Sequence, residues 1–336
     1  MRARMRRDGF TLVELMITSA ILLLVMVYVT QAFTVQQKTY VVVDQVTEAQ
    51  QNLRAVSDLV DRDVRLAGYM VPQQAAICGH DATTGPDRLY LSSADAIRTL
   101  FALEGGNENL SGNYGAPVSG VTNTWNRSGA TASIVLTRTW VDVAADGIDF
   151  AVGAGVILTN RANPEANVAC GTITAITGNT LTVNLGGTSI GPVDYNADVV
   201  AVPAHVYSLT PASTGVPAQL FRDGMLIASD VEDLQVTYFF DLDDDLDVDA
   251  GESFASSGGT AQPWELSPAN TRPDPSSLRE VQLNLVTATR DDDPNRDWAL
   301  GAGEVTGNRT AGSLSAGDGK RRRVYTARVR PRNVIS

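Results

Sequence analysis

The pattern of apolar and polar positions divides the chain into three stretches. From Phe10 to Phe33 the residues are almost wholly apolar, and Glu14 is the only charge. About 20 such residues suffice to cross a bilayer as a helix. From there to Ala67 the pattern becomes amphipathic. Val42, Val46, Ala49, Leu53, Val56, Val60, Val64 and Ala67 recur at steps of three or four, while Gln45, Glu48, Gln51, Arg54, Asp58, Asp61, Arg62 and Arg65 mostly take the other faces. No proline precedes Pro72, and no glycine lies between Gly9 and Gly68. Phe10–Ala67 therefore reads as one helix of roughly 85–90 Å at 1.5 Å per residue, stopped by Gly68.

The third stretch reads as strands. Candidates are 88–92, 132–139, 155–159, 168–176, 180–185, 198–208, 231–240, 279–289 and 322–330, many of them alternating or rich in β-branched residues. Gly-, Asn-, Ser- and Pro-rich stretches separate them, the longest at about 104–130, 255–277 and 291–319. The expected fold class is α+β: a long N-terminal transmembrane and amphipathic helix packed on an antiparallel β-rich body. The expected organisation is a leader at 1–9, a membrane helix at 10–34, its amphipathic continuation at 35–68, and a body at 73–336. A small barrel-like module is expected inserted at about 130–210.

Charge fixes the orientation. The first nine residues hold four arginines, and basic flanks stay in the cytoplasm. The body then lies outside the inner membrane. A common secretory signal would have a shorter apolar core and a small-residue cleavage site; here the run is long and no A-x-A closes it. The chain carries −12; removing four arginines and one aspartate with the first nine residues takes 26 basic and 38 acidic residues to 22 and 37, or −15. Such a body is a poor general partner for nucleic-acid phosphates. Outside the membrane the two cysteines, Cys78 and Cys170, can form one disulfide.

The segment Gly9–Glu14, G-F-T-L-V-E, follows the basic leader and opens the apolar helix. It closely resembles the prepilin signature of type IV pilins and type II secretion pseudopilins. The resemblance implies cleavage after Gly9 by a prepilin peptidase and methylation of the new amino group of Phe10. A carboxylate inside a bilayer costs a few kcal/mol, so Glu14 is functional by default. Cleavage makes a positive amine at Phe10, which Glu14 of a neighbouring subunit can meet in a staggered bundle; the alternative is an interfacial glutamate reaching back to water.

Leu59–Tyr69, LVDRDVRLAGY, resembles the RDIR-x-AGY segment of PilW-type minor pilins, which are similar to the GspJ pseudopilins of type II secretion. Ile227–Asp247 resembles the family's V-E-x-L strand with its acidic loop, and Arg321–Asn333 its closing strand. The resemblance covers both ends and the 227–247 region. It implies a minor pilin that starts or caps a type IV pilus, at low copy number because major pilins are generally far shorter. Its partners would be other minor pilins, the major pilin and a tip adhesin. The alternatives are a GspJ-like pseudopilin and a tip subunit for adhesion or DNA uptake.

One run has the chemistry of a ligand site. Asp241–Glu252 reads DLDDDLDVDAGE, with acids at loop positions 1, 3, 5, 9 and 12 (Asp241, Asp243, Asp245, Asp249, Glu252) and the Asp247 carbonyl at position 7. Oxygens from alternate residues converging on one cation make a calcium loop. The run also resembles the calcium loops of pilus-tip adhesins. Leu246 stands where an EF-hand loop needs glycine, so the alternatives are a non-EF-hand calcium loop and a solvated hairpin tip. The basic end, Lys320–Arg323 with Arg328, Arg330 and Arg332, reads as a strand face paired with the body's own acids, or as a DNA or adhesive contact. His80 and His205 sit in no metal or nucleophile motif, so they are expected in loops or at the surface, and no enzyme is expected.

Overall fold

The computed structural model describes residues 10–71, 73–80, 82, 85–96, 116–121, 131–136, 150–160, 169–178, 180–185, 199–213, 216–243, 245, 247–248, 253–254, 277–290 and 319–334. The chain divides into two units, Met1–Glu48 and Ala49–Ser336. One helix, α1 (Leu12–Leu66), runs through both.

In the first unit the helix buries none of its apolar residues, and it is long and apolar enough to cross a membrane. Its hydroxyls are satisfied internally: Thr18, Ser19, Thr30 and Thr34 each donate to a carbonyl three or four residues back. These threonine and serine hydroxyls therefore need no water along an apolar span.

In the second unit the helix buries Ala49, Leu53, Val56, Val60 and Val64, the residues of the apolar stripe. They share one core with Leu234, Val236 and Phe240 of β11 (Val231–Phe240), Leu283 and Leu285 of β13 (Leu278–Ala288) and Val329 of β14 (Arg322–Val329). With β12 (Ser253–Phe254) these strands form an antiparallel sheet ordered β12-β11-β13-β14. β11 and β13 are buried on both faces and show no alternation. Gly68 ends the helix with φ +82°, and a Cβ there would meet the Asn333 carbonyl oxygen at 3.0 Å. Only glycine fits, both for its left-handed φ and for this close approach of the C-terminal segment.

A second, ten-stranded antiparallel sheet has two parts. In one part β8 (Val199–Thr210), β3 (Ala116–Val121), β4 (Thr131–Leu136), β7 (Thr180–Asn184), β6 (Ala169–Thr177) and β5 (Gly155–Asn160) pair in that order, and β5 pairs back to β8. The circuit closes into a small barrel. In the other part the far half of β8 pairs with β2 (Arg88–Leu91), which pairs with β1 (Ile77–His80), and with β9 (Gln219–Arg222), which pairs with β10 (Met225–Ser229). Pro203 lies within β8 where the partner on one side changes from β3, at residues 200–201, to β2, at residues 205–207. A residue without an N–H is tolerated at such a break.

Several expectations need correction. β3 lies inside the stretch expected as loop at 104–130, and β1, β9 and β10 fall where no strand was expected. Asp223-Gly224 joins β9 to β10 with φ values of +54° and +75°, the two left-handed residues of a tight hairpin turn. His80 and His205 are on strands and buried, not in surface loops, because folding brings each ring a partner, the Cys170 carbonyl for His80 and the Asp223 carboxylate for His205.

Candidate functional site

The N-terminal segment is built by its own capping chemistry. The Thr11 carbonyl accepts the first helical bond, from the Leu15 N–H. Thr11 Oγ1 accepts from the Glu14 N–H at 3.3 Å, and the Glu14 carboxylate accepts from both the Thr11 N–H and its hydroxyl at 3.0 Å. This reciprocal T-x-x-E pair is a capping box, and it starts the helix at Leu12 rather than at Phe10. In a single chain, therefore, Glu14 already holds hydrogen-bond donors. Phe10 is fully outside the helix and exposed. Gly9 lies outside the described residues.

In the acidic run, Asp241, Asp243 and Asp245 each offer a carboxylate oxygen, and these three atoms lie within 4.8 Å of one another. Asp241 is buried and the other two exposed. Arg279, buried on β13, donates from Nε and Nη2 to Asp241 Oδ2 at 2.9 and 2.8 Å. Asp245 accepts from the Asp247 N–H at 2.8 Å, bending the loop back on itself. The site thus assembles three acids and one internal cation. Asp249 and Glu252 lie outside the described residues.

A buried ionic cluster sits where α1 meets β8 and β9 of the ten-stranded sheet, and the sequence reading missed it. Asp63, 5% exposed on the inner face of α1, accepts from the Tyr207 hydroxyl at 2.6 Å and from Arg222 Nη2 at 2.8 Å. Burial, reinforced by Asp63, pushes the Tyr207 phenol far up, so it stays a donor. Arg222 also approaches Asp95 at 3.5 Å. His205 lies between Asp223, 2.6 Å from its Nδ1, and Asp95, 3.4 Å from its Nε2. Asp223 also accepts from the Val206 N–H, which ties the β9–β10 turn to β8. Two signals were readable: an aspartate on the apolar side of the stripe, and a D-G turn between strand-forming residues.

The remaining singled-out residues have structural partners. Cys78 on β1 and Cys170 on β6 form a disulfide with Cα atoms 6.2 Å apart, joining the β1–β2 hairpin to the barrel. Beside it His80 donates from Nε2 to the Cys170 carbonyl at 2.8 Å. Its own burial, opposed by that bond and aided by Arg88, lowers the His80 pKa to about 4. The basic end pairs with acids of the body: Arg322 with Glu232 at 2.6 Å, Arg330 with Glu280 at 3.3 Å and Arg328 with Glu280 at 3.8 Å. Arg328 also lies 4.2 Å above the Phe239 ring centre.

Residues 4–30 match the family model described as the prokaryotic N-terminal methylation motif. The N-terminus is a prepilin-type methylation segment. This motif, with the long apolar helix on an antiparallel sheet-rich body, makes the chain pilin-like, and it supports membrane anchoring and association with other pilus components. No curated protein matches the chain. Among solved structures, a type IV-like pilin from Thermus thermophilus matches with 12% identity and a TM-score of 0.30, covering 85% of this chain and 97% of that one. So low a score carries no argument of its own.

Proposed function

We propose that this chain is a minor pilin of the PilW type that helps start or cap a type IV pilus within a tip or priming complex. The observation that supports this most is the bulk of the body. Beside the four-stranded sheet on its helix it carries a second sheet closed into a barrel. A body of that size would crowd every position of a repeating filament, whereas a tip position has room for it. The inner membrane holds the chain after a prepilin peptidase cuts behind Gly9, and other minor pilins and the major pilin receive it through α1. Glu14 then exchanges its donors at Thr11 for the methylated amine of a neighbour's Phe10.

Two measurements test this reading. Protein extracted from membranes should begin at methylated Phe10; a chain still beginning at Met1 overturns processing. Labelled body should mark filament ends, and uniform labelling along the shaft overturns the tip role. If deletion blocks secretion and spares pili, the GspJ-like reading replaces it. If pili form normally but adhesion or DNA uptake fails, the tip ligand-binding reading replaces it.

The acidic loop supports calcium binding as an addition to this role, because three ligand atoms already lie within 4.8 Å. Calcium takes six to eight oxygens, and Asp243 and Asp245, with Asp247, Asp249 and Glu252, would supply them; Arg279 competes for Asp241. Millimolar calcium should then raise the melting temperature over chelator, magnesium should do less, and D243A/D245A should remove the shift. No calorimetric calcium binding would leave a solvated loop.

A further inference from the structure

The edges of the two sheets are treated unequally. A free strand edge presents unpaired N–H and C=O groups, and folded chains usually cover, shorten or bend it. β1 is buried at all four residues and tied to β6 by the disulfide. β10 is broken by a bulge between Leu226 and Ala228. β12 has only two residues. The stretch of β11 that β12 does not reach is capped by Asp87, whose N–H donates to the Leu234 carbonyl and whose carboxylate accepts from the Val236 N–H. β14 is protected in none of these ways. It has eight residues, pairs with β13 without a register shift, and has no second strand neighbour among the described residues.

Register decides which groups of β14 stay open. The Thr289 N–H donates to the Arg321 carbonyl, and these residues are the next opposed pair after Ala288 and Arg322. Hydrogen-bonded and non-hydrogen-bonded pairs alternate along an antiparallel ladder. Arg323, Tyr325, Ala327 and Val329 therefore turn their N–H and C=O to β13, while Val324, Thr326 and Arg328 turn theirs outward. Among the described residues none bonds these outward main-chain groups. The side chains give the edge two characters. Tyr325 and Ala327 are half-buried and pack on the core that α1 shares. Thr326 and Arg328 are exposed on the opposite face. Positive charge is in excess, since Arg328 and Arg330 share Glu280, and Arg323 is exposed and makes no ion pair among the described residues.

We propose that β14 is the docking edge for an extended segment of a different pilus subunit, which joins the sheet as a fifth strand about 5 Å away. The segment alternates apolar residues, placed beside Tyr325 and Ala327, with polar or acidic ones beside Thr326 and Arg328. Main-chain bonds hold it, and the half-buried face and the arginines select it. A second copy does not fit. Two β14 strands paired antiparallel are related by a two-fold rotation that reverses α1, so one membrane cannot hold both helices, and their arginines face each other. This docking needs only a pilin-like chain and is independent of the tip role.

The test uses cells assembling pili, with the full-length chain carrying a photoreactive amino acid at Val324. Illumination should crosslink it to another pilus subunit. Thr326→Pro removes an outward N–H and leaves the ladder to β13 whole, a substitution that only an edge strand tolerates. It should lower the crosslink yield about tenfold, because the main-chain bonds carry the affinity, and leave the melting of the body nearly unchanged. R323E/R328E should lower the yield several-fold without touching the backbone, so it decides the matter if the proline disturbs the fold. Hydrogen exchange of the peptide spanning β14 should slow when the chain is assembled, a reading that needs no mutation. No crosslink between chains, a crosslink to a second copy or within the chain, a yield indifferent to both variants, or exchange unchanged on assembly would overturn the proposal. Association through α1 alone would show that indifference.

Discussion

Residues 10–48 and the body from Ala49 onward use similar apolar residues and treat them in opposite ways. In the first unit Leu, Ile, Val, Phe and Met side chains stand exposed all round the helix, and hydroxyls bond only their own turn. In the second, the same residue types close on one another, and the polar groups among them are paired across elements, as Asp63 is with Tyr207 and Arg222. The difference lies in where the partner comes from. The body contains its own partners, so its stability belongs to the single chain. The helix waits for lipid or for other subunits, so its stability belongs to the assembly. Changes in the first unit should therefore alter assembly and leave the body's melting untouched. Changes in the second should do the reverse.

The largest effect is expected at Glu14. Glu14→Ala loses the capping box and the lone charge in the span, inserts normally, and fails to join a filament. Co-purification with pilus components should fall to background, while the melting transition of the body stays put. Normal incorporation would break the comparison at its root.

Removing the disulfide acts on the other side. Its sequence separation of 92 residues would give about 4–5 kcal/mol in the chain-entropy model. Cys78→Ser with Cys170→Ser should lower the denaturant midpoint accordingly, with the thiol count of the denatured wild type at zero.

Asp63→Ala comes next. It leaves Arg222 and the Tyr207 hydroxyl without their shared acceptor, and breaking such a buried pair costs about 3–5 kcal/mol, taken at the low end because Arg222 is 21% exposed. Hydrogen exchange should show the last turns of α1 loosened, and the helix before Glu48 unchanged. If the midpoint moves by less than about 1 kcal/mol, solvent already reaches the cluster.

The effect that is smallest near neutral pH is a pH dependence from His80. Its folded pKa of about 4 lies below the ordinary 6.5. Above pH 6.5 the ring is neutral in both states and its burial costs nothing further. As pH falls from 6.5 towards 4 the unfolded chain takes up the proton and the folded one does not, so stability drops, by about 3 kcal/mol in all. His80→Gln should flatten that part of the profile in the wild-type-minus-variant difference. An unchanged difference would assign the acid sensitivity to the carboxylates.

The capping box in T-x-x-E and the β9–β10 hairpin in D-G are local motifs whose partners lie within four residues, so both were readable, although the sequence reading used neither and began the helix at Phe10. The helix and its stripe were legible for the same reason: period and charge are properties of the neighbouring sequence. So was the prepilin-type segment, where a basic leader, a glycine and a glutamate at fixed spacing meet an apolar run.

By itself, then, the sequence determined the long apolar helix, where it stops and which side faces a body, since all these follow from short-range pattern and hydropathy. Tertiary structure alone decided which strands close the small barrel expected at about 130–210, with β5 returning to β8, that Asp63 on the stripe side is a buried acceptor and not a solvated charge, and that His80 is neutral. It also decided that Arg279 reaches Asp241 and that β13 takes one edge of β14 and leaves the other open. Each of these joins residues tens to hundreds of positions apart, and a charge or a strand edge acquires its meaning only when the chain brings its partner within a few ångströms.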